Sequence, residues 1–311
     1  MIENKDNNIA TGIAAIVAPC SGRKEKLPAD NLRAPRLRRG NQNAVAEAWL
    51  GRLQSTAPSE WIIASELYAG RSFRRVRDVA NLLGCGFFVV SAGLGFLDGK
   101  TAIPSYDLSL SATGDAALRL RLTHAPRPSD WWLSLEASPF ASSLKELCVG
   151  RARILVALTQ SYAEMVGPSL AKLPADHRSR LRIFGFGLKP FISADLHQQL
   201  IKYDDRLDQL MPGTRLDGAS RALAHFANLV ATRPTTDMEA DQGQVEVALS
   251  TVKVPVPVSH KRVSDAVVAK YVARFIRNGL SANRALKRLR SEMHVACEEQ
   301  RFRRLYDEAL R

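Results

Sequence analysis

Short apolar runs alternate with helical patterns along the first three-quarters of the chain, and this alternation limits the fold more than any other feature. Residues 13–18, 61–64, 87–90, 154–158 and 181–184 each read as a buried strand. Residues 42–54, 72–83, 139–149, 160–172, 193–202 and 218–231 carry apolar side chains at helical spacing. Within 72–83, for example, Phe73, Val76, Val79, Ala80 and Leu83 fall on one side. The alternation predicts an α/β domain, a mostly parallel sheet with helices on both faces. Ligands of such sheets bind beyond the carboxyl ends of the strands. The residues just after each strand are therefore the candidates for function.

The pattern stops near residue 231. Residues 232–258 contain Arg233-Pro234-Thr235-Thr236, a polar stretch over 239–246 and Val254-Pro255-Val256-Pro257. They read as a linker, with room for a short strand within 245–254. Three helices are expected after it, at about 264–278, 281–293 and 296–310. Asn278-Gly279-Leu280-Ser281 makes a tight helix–turn–helix join, with Ser281 placed as an N-cap. The expected organisation is an α/β domain over 1–231, a linker over 232–258 and a small all-α domain over 259–311.

Charge distinguishes the last segment. The 311 residues carry a net charge of +13, with 44 Lys and Arg against 31 Asp and Glu. Residues 251–311 alone hold 14 basic and 6 acidic residues, which is +8 of that total. Arg284, Lys287, Arg288 and Arg290 crowd the second helix, and Arg301, Arg303 and Arg304 the third. Such a concentration is the footprint of a DNA-binding module that contacts phosphates. A solvated dimerisation or docking domain is the rival reading. The apolar runs fall short of the roughly 20 residues that cross a bilayer, and the chain starts with a polar stretch. A cytoplasmic protein with no membrane partner is expected. Four cysteines form no CxxC pair and six histidines are scattered, so no metal site or other cofactor is expected.

Three strand-end segments carry the candidate chemistry. Pro19-Cys20-Ser21-Gly22-Arg23-Lys24 offers small residues, a thiol and two cations. It lacks the P-loop spacing. Cys20 reads either as a nucleophile activated by nearby positive charge or as a small residue buried in a turn. Ser65-Glu66-Leu67-Tyr68-Ala69-Gly70-Arg71-Ser72-Phe73-Arg74 offers a carboxylate, a stacking ring at Tyr68 or Phe73, and phosphate-binding Arg71 and Arg74. Glu66 reads equally as an ion-pair partner of those arginines. Ser91-Ala92-Gly93-Leu94-Gly95, followed by Pro104-Ser105-Tyr106-Asp107, offers a glycine turn, a ring to stack on a flipped base and a carboxylate. Asp107 is the leading catalytic candidate, since a carboxylate stabilises an oxocarbenium-like sugar. Its rival role is to cap a helix starting near Leu108.

These motifs, in this order, resemble those of a bacterial and phage family related to the peroxide-stress YaaA-like proteins. They are also similar to one domain of archaeosine synthase, whose fold is like that of uracil-DNA glycosylases. The resemblance covers about residues 12–110. It implies a uracil-DNA-glycosylase-like fold and a DNA glycosylase that excises a modified base and leaves an abasic site. One similar type is an anti-phage DNA glycosylase acting on glucosylated hydroxymethylcytosine in phage DNA, which makes that base the expected substrate. It also implies a base pocket of Cys20, Ser21, Tyr68, Ser91, Gly93, Gly95 and Tyr106, with catalysis by Asp107 or Glu66. Arg23, Lys24, Arg71, Arg74, Arg284, Lys287, Arg288, Arg301 and Arg304 are then the expected contacts to double-stranded DNA. The alternatives are a base-modifying or base-exchanging enzyme working through Cys20, and a DNA-binding nucleotide sensor without catalysis.

Overall fold

Five strands form the central sheet of the computed structural model, which describes residues 12–110, 114–148, 150, 152–235, 237–254 and 259–310. They are β1 (Ile13–Pro19), β2 (Gly86–Ser91), β3 (Gly95–Asp98), β4 (Arg153–Ala157) and β5 (Leu181–Phe184), in the spatial order β3-β2-β1-β4-β5. Strands β2, β1, β4 and β5 are parallel. Strand β3 folds back antiparallel on β2 through a short hairpin. The two central strands are buried almost throughout: Ile13, Ala15, Ile16, Val17 and Ala18 in β1, and all of β4. Near-continuous apolar runs are what a parallel strand covered on both faces requires. Four parallel strands bring Pro19, Ser91, Ala157 and Phe184 to one carboxyl edge.

The helices pack in two groups. Helix α1 (Gln42–Gln54) packs against α3 (Pro128–Leu135), and α3 against α4 (Gln160–Ala171). Helix α2 (Arg71–Leu83) packs on β1 and on α5 (Gly218–Thr232), which touches α6 (Met238–Ser250). Helix α2 buries Phe73, Val76, Ala80 and Leu83 and stops at Gly84, whose φ of +62° suits glycine.

Several expectations need correction. The strand expected over 61–64 is only Ile62–Ile63, paired antiparallel with Ala102–Ile103 outside the main sheet. The helix expected over 139–149 is a 3-10 turn, Leu144–Cys148, and that over 193–202 is another, Ala194–Gln199. Residues 232–258 are not a plain linker. They contain α6, and Val245 and Leu249 join the main core. Asp237 caps α6 by accepting from the Ala240 N–H. Asp241, fully buried, accepts from Arg153 at 3.0 Å and also pairs with Arg182. This buried charge cluster fixes α6 to β4 and β5. Its acidic and polar residues, without a strong apolar stripe, are why it reads as loop.

The chain divides into two compact units, Met1–Lys253 and Val254–Arg311. The second has its own core, in which Val268, Val272 and Phe275 of α7 (Asp265–Arg277) meet Ala285, Leu286 and Leu289 of α8 (Ala282–Ser291) and Phe302 and Leu305 of α9 (Glu299–Ala309). Gly279 takes a φ of +70° at the join between the first two helices. The unit is not purely helical: Lys261–Arg262 pairs in parallel with Val295–Ala296.

Candidate active site at the carboxyl edge of the sheet

The ends of β1, β2 and β4 bring a thiol, three phenols, a serine and an amine together. Cys20 follows β1, Ser91 closes β2, and Tyr162 lies in the first turn of α4, just after β4. Tyr68 and Tyr106 come from the loops between. Lys24 is held by a bridge between its backbone and that of Tyr68.

Cys20 is the hub. Its Sγ lies 3.0 Å from the Tyr162 hydroxyl, and it accepts from the Tyr106 hydroxyl and the Ala92 N–H, each at 3.5 Å. The Tyr106 hydroxyl also lies 2.7 Å from Ser91 Oγ and 3.1 Å from the Tyr68 hydroxyl. Each hydroxyl has one proton to donate. With Ser91 donating to the Tyr106 oxygen, the Tyr106 proton is directed at the sulfur. Burial raises the pKa of Tyr106 and Tyr162, and Cys20 raises both further. Burial likewise raises that of Tyr68. All three therefore stay neutral donors at ordinary pH.

The glycine turn serves this cluster instead of a ligand. Ser91 Oγ accepts from the N–H of Gly93 at 3.3 Å and of Leu94 at 3.0 Å. Trp49 Nε1 donates to the Gly93 carbonyl at 2.6 Å and Trp131 Nε1 to the Ala92 carbonyl at 2.8 Å. A Cβ at Gly93 would sit 2.5 Å from Tyr106 Cε2. Glycine is therefore required for the tyrosine ring to approach. Gly95 has a φ of +87° and faces the Leu135 carbonyl, so it turns the hairpin away from the cluster. Ser21 also pins backbone: its Oγ donates to the Arg23 carbonyl at 2.7 Å and accepts from the Gly70 N–H at 3.0 Å.

Tyr68 and Tyr106, expected to stack on a base, are 0% and 1% exposed, and Ser91 is 0% exposed. Their rings have no free face in this structure, and they contribute through their hydroxyls and as support. Phe73 is core, 5.0 Å from the Tyr68 ring. Lys24, expected on a phosphate, is part-buried instead. Its Nζ lies 4.2 Å from the Tyr106 ring centroid and 5.8 Å from that of Tyr68. Burial lowers its pKa below the ordinary lysine value of 10.5, against the opposing pull of Cys20 and Asp107.

The two carboxylates part company. Asp107 is part-buried and near enough to Lys24 to act on its charge. It caps no helix: its N–H donates to the Leu32 carbonyl at 2.8 Å and its carbonyl accepts from the Ala34 N–H at 2.7 Å, in extended chain. Glu66 is exposed on the short helix Ala64–Leu67 and, among the described residues, bonds to no member of the cluster. The strand before it is not in the main sheet, so it does not reach the carboxyl edge as expected. Nor does it pair with the arginines that follow: Arg74 pairs with Glu25, and Arg71 lies 3.9 Å from Asp217. Arg23 and Arg71 are exposed. Sequence reasoning missed Tyr162. Its signal is position, two residues into the helix that follows a central strand.

In the C-terminal unit the basic residues separate into paired and unpaired. Arg301 and Arg304 each donate to Asp265 at 2.7 Å, and Arg288 pairs with Glu292 at 2.6 Å. These three brace the helices. Arg284 and Lys287 are exposed and, among the described residues, form no ion pair. Lys287 lines a groove of about 620 Å³ with Arg290, Arg303, Asn283 and Glu299.

Among the described residues no group of three or more His, Cys, Asp and Glu stands ready to hold a metal ion, and no helix is long and apolar enough to cross a membrane. No protein-family model, no curated protein and no solved structure matches the chain.

Proposed function

We propose that the protein is a DNA glycosylase that excises a modified base, with glucosylated hydroxymethylcytosine of phage DNA as the first substrate to test. The observation that carries the reading is the convergence of Cys20, Lys24, Ser91, Tyr106 and Tyr162 at the carboxyl ends of three central strands. Open α/β sheets bind their ligands at that edge. The part-buried Cys20, Lys24, Asp107 and Tyr162 are the members a flipped nucleotide can reach. In this reading the fold is a relative of the uracil-DNA glycosylases, and the protein acts in the cytoplasm as a defence against phage.

Asp107 stabilises the developing sugar cation and orients the attacking group. Tyr162 and Cys20 meet the polar edge of the extruded base. Arg23 and Arg71, exposed nearby in sequence, hold flanking phosphates. The C-terminal unit adds sequence-independent grip through Arg284 and Lys287. Glu66 has no part in the chemistry.

The test is incubation with ordinary duplex DNA and with duplex DNA carrying glucosylated hydroxymethylcytosine, followed by analysis of released base and of alkali-labile strand breaks. Free modified base and breaks confined to the modified duplex are expected. Binding without either outcome overturns the reading in favour of a sensor. Loss of the modified base with neither an abasic site nor a strand break would assign base exchange through Cys20.

A further inference from the structure

We infer that Lys24 is the amine nucleophile of a lyase activity at the same site, one that forms a Schiff base with the C1′ carbon of the target nucleotide and cuts the strand on its 3′ side. The inference rests on the glycosylase reading above for its substrate, but its own chemistry needs only an abasic sugar.

The two nucleophiles of the cluster differ in how far they are engaged. The Cys20 sulfur is engaged from three sides, by Tyr162, Tyr106 and the Ala92 N–H. The Lys24 amine is not. Among the described residues no carboxylate lies within the 4.0 Å of an ion pair, and it accepts and donates no hydrogen bond. A lysine at a DNA-facing edge that served only to hold phosphate would reach into solvent. This one folds back over the Tyr106 ring, where water is partly excluded. Burial shifts it towards the neutral amine, the form with a lone pair to give. The backbone bridge between Lys24 and Tyr68 fixes where the side chain starts, and the ring beneath limits where it points. Asp107 is near enough to influence the amine yet, among the described residues, does not pair with it, which leaves its carboxylate open to take the C2′ proton in the elimination that follows.

The steps balance without a redox partner. The neutral amine attacks C1′, the C1′–N bond to the base breaks, and the base leaves with the proton that the amine gives up. The sugar ring then opens: O4′ takes the remaining N–H proton and a C1′=N imine forms. Asp107 accepts a proton from C2′, the C3′–O3′ bond breaks, and the downstream strand leaves with a 5′-phosphate. Water hydrolyses the imine and returns Lys24 as the amine.

Borohydride reduces an imine to a stable amine and so traps the adduct. Full-length protein is incubated with sodium borohydride and a labelled duplex, carrying either glucosylated hydroxymethylcytosine or a preformed abasic site. A covalent protein–DNA band is expected on both, with the adduct mapped to the Lys24 peptide by mass. Lys24→Arg, which keeps the charge, is expected to lose at least 90% of the band. A preformed abasic duplex that yields no adduct overturns the inference, and so does an adduct mapped to another lysine or the N-terminus. Adduct on abasic DNA alone, with no base released from modified DNA, upholds Lys24 and overturns the glycosylase reading. Base release with breaks only after alkali, and no adduct, does the reverse. Mapping on the unaltered protein decides the matter even if Lys24→Arg fails to fold.

Discussion

The Cys20 sulfur and the Tyr162 hydroxyl lie 3.0 Å apart although 142 positions separate them in the chain. The contact links the end of β1 to the helix after β4 and closes the cluster on the side away from the glycine turn. Tyr162→Phe removes the hydroxyl and keeps the ring. If the hydroxyl positions the sulfur and the base edge, single-turnover base release should fall about tenfold, the kinetic equivalent of ~1.4 kcal/mol. Folding stability should drop by about 1 kcal/mol, one hydrogen bond. A normal rate in the Phe variant would remove Tyr162 from the site and leave it a structural contact.

Gly93 is the tightest point of the turn. Alanine there places a Cβ 2.5 Å from Tyr106 Cε2, and neither the buried ring nor the twice-anchored turn has room to move. We expect Gly93→Ala to cost about 1–3 kcal/mol, the range for overpacking, read from the urea midpoint. Tyr106→Ala also destabilises. The double variant should be more stable than the sum of the two losses, because the clash exists only when both groups are present. Strict additivity would mean that the turn yields elsewhere.

The strands that build the edge were legible as short apolar runs: 13–18, 87–90 and 154–158 carry only apolar residues, 181–184 is interrupted by Arg182 alone, and all four lie in the sheet. The strand Gly95–Asp98 was not, because four residues after a glycine turn carry no periodicity. Residues 61–64 looked like their neighbours, yet two residues paired outside the sheet suffice to cover Ile62 and Ile63. Motif order singles out Cys20, Lys24, Ser91 and Tyr106, and the structure brings these four together. It could not say that Lys24 folds inward, that Ser91 and Tyr106 are fully buried, or that Glu66 faces outward. Those depend on packing between distant segments. Helix α6 was hidden for a related reason: its anchor is one buried aspartate between two arginines from different strands.

Arg284 and Lys287, unlike Arg301 and Arg304, have no acid to neutralise them among the described residues. If the C-terminal unit grips DNA, each phosphate contact releases counterions and steepens the fall of log K with log salt by about 0.9. Replacing both by alanine should lower the slope by roughly 2, measured by fluorescence anisotropy across a salt series. Arg304→Ala should leave the slope nearly unchanged, since its guanidinium is committed to Asp265. An equal loss of slope in the two variants would mean that the Asp265 pair opens on DNA.

The Asp265 pair also sets a pH dependence. One carboxylate oxygen accepts from Arg301 and the other from Arg304. The hydrogen bonds from Arg304 and then Arg301 hold the carboxyl pKa below its ordinary 3.8. A depressed folded pKa means that the unfolded chain takes up the proton first as pH falls. The stabilisation is therefore complete above 3.8 and is lost as pH drops through the lower folded value. Asp265 and Arg304 are solvent-exposed and Arg301 is part-exposed, so the effect is small and weakens with salt. Asp265→Asn should lower the urea midpoint of the C-terminal unit at pH 6, followed by hydrogen exchange at α9, and the gap to the unaltered protein should narrow as pH falls below 3.8. A gap that stays constant down to pH 2 would show that the carboxylate charge contributes nothing, and that shape alone joins α7 to α9.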